Sequence, residues 1–389
     1  MTKLVYITKS FAQKAGVERI LADKMNYLAE STNYNITLIT YEQGAHKIAY
    51  QLNKAIKVID INKRFFTLKR YNILLRIWKF FQLRKAFKQE LSSILLEINP
   101  DIVISNTYSF NLFDIILNLK YHHIIESHIC LDDIRNEINY KNKIIAYFAR
   151  IWDNMMFSYT NKADVLITLT NADKTQWTEK TNTKVVTIPN MVTYYPTDYR
   201  PNDSSKRIIC VGRLHHQKGF DMLIKAWSLI AEKYSEWHID IFGSGDDEKF
   251  LNNLIARYKL DSIKIKKPVD NIYDEYMSSA FFVLSSRFEG LPLVLIEAMS
   301  SGLACVAFDC PNGPSEMIDH KTNGFLVKAE DISGLASAIE WMILHKEPRV
   351  EMGRQARITA KNYTKENIIP LWIDLFNSIV YCEKNDYKL

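Results

Sequence analysis

No apolar run in this chain approaches the ~20 residues that a membrane-spanning helix needs. The longest, such as LPLVLI at 291–296, stop far short, so no segment is expected to cross a bilayer. The five cysteines (Cys130, Cys210, Cys305, Cys310 and Cys382) include no CxxC pair and no Cys/His metal spacing. Neither a disulfide framework nor a zinc module is expected, and the thiols read as small core residues in a reducing compartment. No GxGxxG follows the first strand-like run, which disfavours a dinucleotide-dependent oxidoreductase. The opening MTKLVYITKSF lacks the basic, apolar and small-residue sequence of an export leader, so a cytoplasmic protein is expected. Low-complexity tracts are lacking too.

What is present is an ordinary folded composition, 47% hydrophobic and 24% charged over 389 residues. That length predicts two domains of roughly 150–200 residues. Short apolar, β-branched runs at 4–8, 36–40, 57–61, 101–105, 123–127, 164–168 and 184–188 predict buried strands. Helical stretches such as 17–30 lie between several of them, an alternation that argues for βαβ units around a parallel sheet. After the polar, Pro-bearing stretch at 189–206, a second series follows at 207–212, 237–243, 262–266, 281–286, 303–308 and 324–328. The expected fold class is therefore α/β with two Rossmann-like domains facing across a cleft, at 1–190 and 207–364, joined by a linker at 191–206. Charge is uneven: residues 1–190 hold 26 Lys and Arg against 17 Asp and Glu, whereas 191–389 hold 24 against 27. The first half is expected to meet something anionic.

Four segments carry candidate chemistry. In SSRFEGLPLVLIEAMSSG (285–302), Glu289 sits in a loop that Gly290, Leu291 and Pro292 lead into a helix, and Glu297 lies slightly more than one turn inside it. Carboxylates accept hydrogen bonds from hydroxyls and free amides at a helix start favour phosphate, so a hydroxyl-rich, phosphate-bearing ligand fits. The plainer reading, a turn residue and a helix residue, stands beside it. In VGRLHHQKGFDMLIKAW (211–227), Arg213 and Lys218 flank a strand–loop–helix turn, where two cations can neutralise a diphosphate, although such loops are often only solvated. In KSFAQKAGVERIL (9–21), Gly16 would let backbone approach a phosphate; a simple turn is the alternative. IIESHICLDD (124–133) offers His128 just beyond a strand, with Asp132 and Asp133 weaker candidates. The Asp246-Asp247-Glu248 run reads as a loop or helix start, with no ligand role.

The segment at 285–302 resembles the EX7E motif of retaining glycosyltransferase family 4, of the GT-B fold and the bacterial surface-polysaccharide type. The flanking EG, EAM and SG and the following FDCPNGPSEMIDHKTNGFLV (308–327) are similar as well. The resemblance implies that Glu297 binds the nucleotide ribose and that Glu289 contacts the donor sugar near the reacting centre. Arg213 and Lys218 would hold the donor diphosphate, Gly16 would line the donor loop with Ala15 where many members have a second glycine, and His128 would touch the donor sugar or position the acceptor. It implies a metal-independent, cofactor-free transfer with retention, by front-face attack. No Asp-x-Asp occurs anywhere in the chain, the pair with which transferases of the other major architecture commonly hold metal and diphosphate. NYTKENIIPLWIDLFNSIV (362–380) resembles the family's last helix, so 365–389 is expected to pack back on the first domain. The GPSEM segment resembles members that use UDP-hexoses or their N-acetyl derivatives. Rival readings are a GT-B nucleotide-sugar epimerase and a non-catalytic sugar-nucleotide-binding partner of a membrane complex.

KRFFTLKRYNILLRIWKFFQLRKAFK (63–88) holds nine Lys or Arg, no acidic residue and seven large aromatics. Such a mixture suits a helix lying on anionic membrane. Lys69, Arg70, Arg76, Trp78, Lys79, Arg84 and Lys85 are thus expected to meet the inner face of the cell membrane, or the diphosphate of a polyprenyl-linked acceptor. No nucleic-acid motif accompanies the charge, and nucleic acid is not an expected partner.

Overall fold

The computed structural model describes residues 1–389 except 13–15, 129–130, 132–142, 198, 200–203 and 387–389, with the backbone alone described for 143–145 and 381–386. Cys130, Asp132, Asp133 and the Cys382 side chain lie outside the described residues. The chain divides into two compact units, one of Met1–Ile188 with Ile369–Leu389 and one of Pro189–Ile368.

The first unit is built on a parallel sheet of β1 (Lys3–Thr8), β2 (Asn35–Thr40), β3 (Lys57–Asp60), β4 (Ile102–Asn106), β5 (His122–Glu126), β6 (Val165–Thr168) and β7 (Lys184–Thr187), in the order β3-β2-β1-β4-β5-β6-β7. Its central strands are apolar on both faces because helices cover both. Helix α1 (Gly16–Ser31) follows β1 and buries Ile20, Leu21, Met25 and Leu28. Helix α2 (Ile73–Ile98) is bounded by its caps: Asn72 Oδ1 accepts from the Leu75 amide at 3.0 Å, and Asn99 ends it in the left-handed region at φ 50°. Asparagine suits both positions, since its side chain can replace a lost helical partner and it tolerates φ > 0. Phe87, Leu91 and Leu95 of α2 enter the core beside Val5, Ile39 and Val103. Helix α3 (Lys143–Thr160) sends Met156 and Phe157 into a second cluster around Trp177.

The second unit carries β8 (Arg207–Val211), β9 (His238–Phe242), β10 (Ile263–Lys266), β11 (Phe281–Leu284), β12 (Cys305–Asp309) and β13 (Gly324–Lys328), parallel in the order β10-β9-β8-β11-β12-β13. The two helices that bear on function are α4 (Phe220–Ser228), after β8, and α5 (Leu293–Ser300), after β11. Helix α6 (Lys365–Asp386) starts in the second unit, and its residues from Ile369 onward belong to the first. There Phe376 packs edge-on to Tyr34 and Trp372 lies over the Lys24 ammonium. These are two Rossmann-like α/β units, each with strand order reversing beside its first strand: β1/β4 in one and β8/β11 in the other. Ligands of open α/β sheets bind outside the carboxyl ends of strands at such reversals.

Candidate functional site

The loops after β8 and β11 leave the sheet on either side of the second reversal, and they are fastened together by backbone. The Arg287 amide donates to Gln217 O at 2.8 Å, Ser285 Oγ donates to Lys218 O at 3.0 Å, and Gln217 Nε2 donates to Phe288 O at 3.1 Å. Gly219 makes this approach feasible. It caps α4 in the left-handed region at φ 61°, and a Cβ there would stand 2.0 Å from Ser285 O. Only glycine satisfies both conditions. Arg287 completes the fastening with a fork onto Asp221 of α4, at 2.9 Å to each carboxylate oxygen. Burial opposes the Asp221 charge, but the Arg287 guanidinium more than offsets this and holds the carboxyl below the usual range.

On that frame the Lys218 ammonium donates to Glu289 Oε1 at 2.6 Å, and Ser286 Oγ donates to the same oxygen at 2.6 Å. Glu289 is buried; Lys218 is partly so. Leu291 and Pro292 are buried beneath the start of α5 and Gly290 is half-buried. Gly313, at φ 96°, lets the loop after β12 close on this turn: a Cβ there would meet Pro292 Cδ at 2.6 Å and Gly290 O at 2.9 Å. Glu297, buried on α5, accepts from Tyr276 Oη at 3.3 Å. Arg213 is exposed after β8 and donates to Gln217 Oε1 at 3.4 Å. Cys310, beside Glu289 and Lys218, is a buried free thiol whose pKa burial pushes up to about 12. Cys210 and Cys305 are likewise free and buried.

The structure therefore joins Lys218 to Glu289 directly and Arg213 to both loops through Gln217. Gln217, Ser286 and the Arg287–Asp221 fork escaped the sequence reading. Their signal is weak, because a serine three residues before a glutamate or a lysine-flanked glutamine acquires meaning only once two distant loops meet.

Gly16 and His128 belong to the first unit. Gly16 is the first residue of α1, after β1. His128 follows β5, and its Nε2 lies 2.9 Å from Glu126 Oε2, while Lys24 of α1 donates to Glu126 Oε1 at 2.5 Å. Lys24, Glu126 and the His128 ring are each almost fully buried. Burial opposes the Glu126 charge, but Lys24 and His128 outweigh it and hold the carboxyl below its ordinary range. Lys24 could have been noticed: it falls on the apolar stripe of α1, four residues from both Ile20 and Leu28.

In the basic aromatic stretch, Lys69, Arg70, Trp78 and Lys85 are exposed and Arg76 and Lys79 half-buried. Arg84 corrects the expectation of an outward group. It is buried, donating to Asn111 O and to both carboxylate oxygens of Asp114, with the Trp152 ring of α3 beside it. A guanidinium on the inward face of α2 is tolerable only when so paired. Leu74, Trp78 and Phe81 form an exposed apolar stripe on α2, and Tyr147, Phe148 and Ile151 another on the neighbouring α3. Among the described residues, no helix is long and apolar enough to cross a membrane, and no group of three His, Cys, Asp or Glu could hold a metal ion.

A GT-B frame with a lysine–glutamate pair at a sheet reversal defines a class, and comparison with known proteins agrees. The profile "Glycosyl transferases group 1" matches residues 195–359 and "Glycosyltransferase Family 4" matches residues 15–193. An uncharacterized glycosyltransferase of Haemophilus influenzae is 30% identical over 376 residues, covering 96% of this chain and 99% of its own. The GalNAc-alpha-(1->4)-GalNAc-alpha-(1->3)-diNAcBac-PP-undecaprenol alpha-1,4-N-acetyl-D-galactosaminyltransferase of Campylobacter jejuni is 27% identical over 390 residues, covering 97% and 99%. The pneumococcal O-GlcNAc transferase GtfA, solved in complex with UDP and GlcNAc, shares the fold with TM-score 0.70 at 16% identity, covering 97% and 99%. The chain is a GT-B glycosyltransferase. It belongs to glycosyltransferase family 4.

Proposed function

We propose that the chain transfers a hexosyl or N-acetylhexosaminyl group from a UDP-sugar, with retention of configuration, to a lipid-linked or other glycan acceptor in surface-polysaccharide or glycolipid assembly. The observation that carries this reading is the Lys218–Glu289 pair at the β8/β11 reversal, with Arg213 exposed on the same loop. Cations placed there can take the charge of a departing diphosphate, the main electrostatic term in such a transfer. Glu289, relieved of Lys218 when phosphate arrives, is then an acceptor for a sugar hydroxyl, and Glu297 for the ribose. Gly290, Leu291 and Pro292 shape the turn between those two carboxylates, and Gly16 admits the donor at the first unit's strand ends. UDP is favoured over GDP by the solved neighbour holding UDP and GlcNAc, and a lipid-linked acceptor by the PP-undecaprenol in the Campylobacter relative's name. We read the leaving group as met by Arg213, Lys218 and helix amides without a metal.

Exposed rings on α2 and α3 beside Lys69, Arg70 and Lys85 support a peripheral seat on the anionic inner face of the cell membrane. The deciding experiment is donor hydrolysis and transfer across a panel of UDP- and GDP-sugars, with and without EDTA, followed by NMR of the product anomer. UDP-sugar turnover insensitive to EDTA with a retained anomer is expected. Interconversion of free nucleotide sugars without an acceptor would identify an epimerase, and binding without turnover a non-catalytic partner.

A further inference from the structure

The buried Lys24–Glu126–His128 chain lies outside the pair that anchors the proposed transfer, and its chemistry is constrained. Lys24 Nζ donates to Glu126 Oε1 at 2.5 Å and also stands 3.7 Å from the Trp372 ring centroid. That ammonium and the His128 ring both favour the charged form of Glu126 against the effect of burial. An ionised carboxylate only accepts hydrogen bonds, so the contact from His128 Nε2 to Glu126 Oε2, at 2.9 Å, requires a proton on Nε2. In the neutral ring the remaining nitrogen is then an acceptor. His128 Nδ1 is buried and, among the described residues, has no hydrogen-bond partner. A buried acceptor left unpaired is unfavourable, and a hydroxyl brought by a ligand would satisfy it.

We propose that Lys24 and Glu126 are positioning residues that lock His128 in its Nε2–H tautomer and so keep Nδ1 as the acceptor for one hydroxyl of a bound sugar. The sugar part rests on the transferase reading above; the tautomer part does not. Lys24 is the first link, because it holds Glu126 ionised, and Glu126 is the second, because it fixes the ring. Neither needs to touch substrate.

Ring 15N NMR of the ligand-free full chain, labelled at histidine and assigned against His128→Asn, tests the tautomer. A proton on Nε2 and none on Nδ1 is expected, and a proton found on Nδ1 overturns the inference whatever the donor proves to be. Two double variants test the consequence without stranding a buried charge: Lys24→Met/Glu126→Leu removes the acceptor, and Lys24→Met/Glu126→Gln keeps one. The Leu double should release the tautomer and lower kcat at least tenfold, while the Gln double should hold the Nε2–H form and recover most of the rate. UDP affinity should be unchanged in both. Equal losses in the two doubles, or a wild-type rate in the Leu double, would show a merely structural pair. Absence of sugar transfer by the wild-type chain would instead count against the transferase reading and leave the tautomer result standing.

Discussion

Lys218 Nζ and Glu289 Oε1 stand 2.6 Å apart across the β8/β11 reversal, with Ser286 donating to the same oxygen. The two residues that a donor would use are thus already bound to each other. Each should lose about 10²-fold in kcat/KM when truncated to Ala, about 2.7 kcal/mol. Removing both should cost less than the sum by about 1–3 kcal/mol, because each single change also strands its partner. A double-mutant cycle on donor turnover measures this, and strictly additive losses would contradict it.

Gly219 is held at φ 61° with Ser285 O where a Cβ would stand. Gly219→Ala should destabilise the second unit by about 1–3 kcal/mol through strain. It should also push the two loops apart. Urea denaturation reads the first effect, and turnover of the still-folded fraction, expected to fall more than stability does, reads the second.

The Arg287–Asp221 fork makes the same frame sensitive to acid. Asp221 has a folded pKa depressed below its ordinary value by Arg287. Its stabilisation is therefore complete above about pH 4 and is lost as pH falls through the depressed value. Asp221→Asn should lower stability by about 1–2 kcal/mol at neutral pH and by less in acid. Denaturant midpoints for both proteins across that range should converge on the acid side.

Most of the scaffold was legible because it is written locally. Among the described residues, all thirteen strands sit where short β-branched runs announced them, from Lys3–Thr8 to Gly324–Lys328, and α5 covers the predicted LVLIEAMS. The pairings were not legible. Arg84 reads as one more base in a basic stretch, and only the return of Asp114 to its side turns it inward. Lys24 and Glu126 are separated by 102 positions. Contacts between remote segments depend on how the sheet orders its strands, which no local pattern encodes.

The exposed stripes on α2 and α3 give a further outcome. Trp78→Ser with Phe81→Ser should reduce cosedimentation with phosphatidylglycerol-containing vesicles about tenfold or more, since each ring buried in the interface is worth about 1.5–3 kcal/mol at most. Turnover of a soluble donor without vesicles should not change. Equal vesicle binding by variant and wild type would remove the membrane reading while leaving the transferase reading untouched.

Helix α6 closes the first unit with residues from the far end of the chain, and Trp372 lies over an ammonium on the helix that follows the first strand. During synthesis, the first half emerges from the ribosome long before that ring exists. Lys24 stays without that cover while the whole second unit is translated. The half that is made first is therefore the half that is finished last, and nascent chains stalled before residue 369 would leave Lys24 without the Trp372 ring.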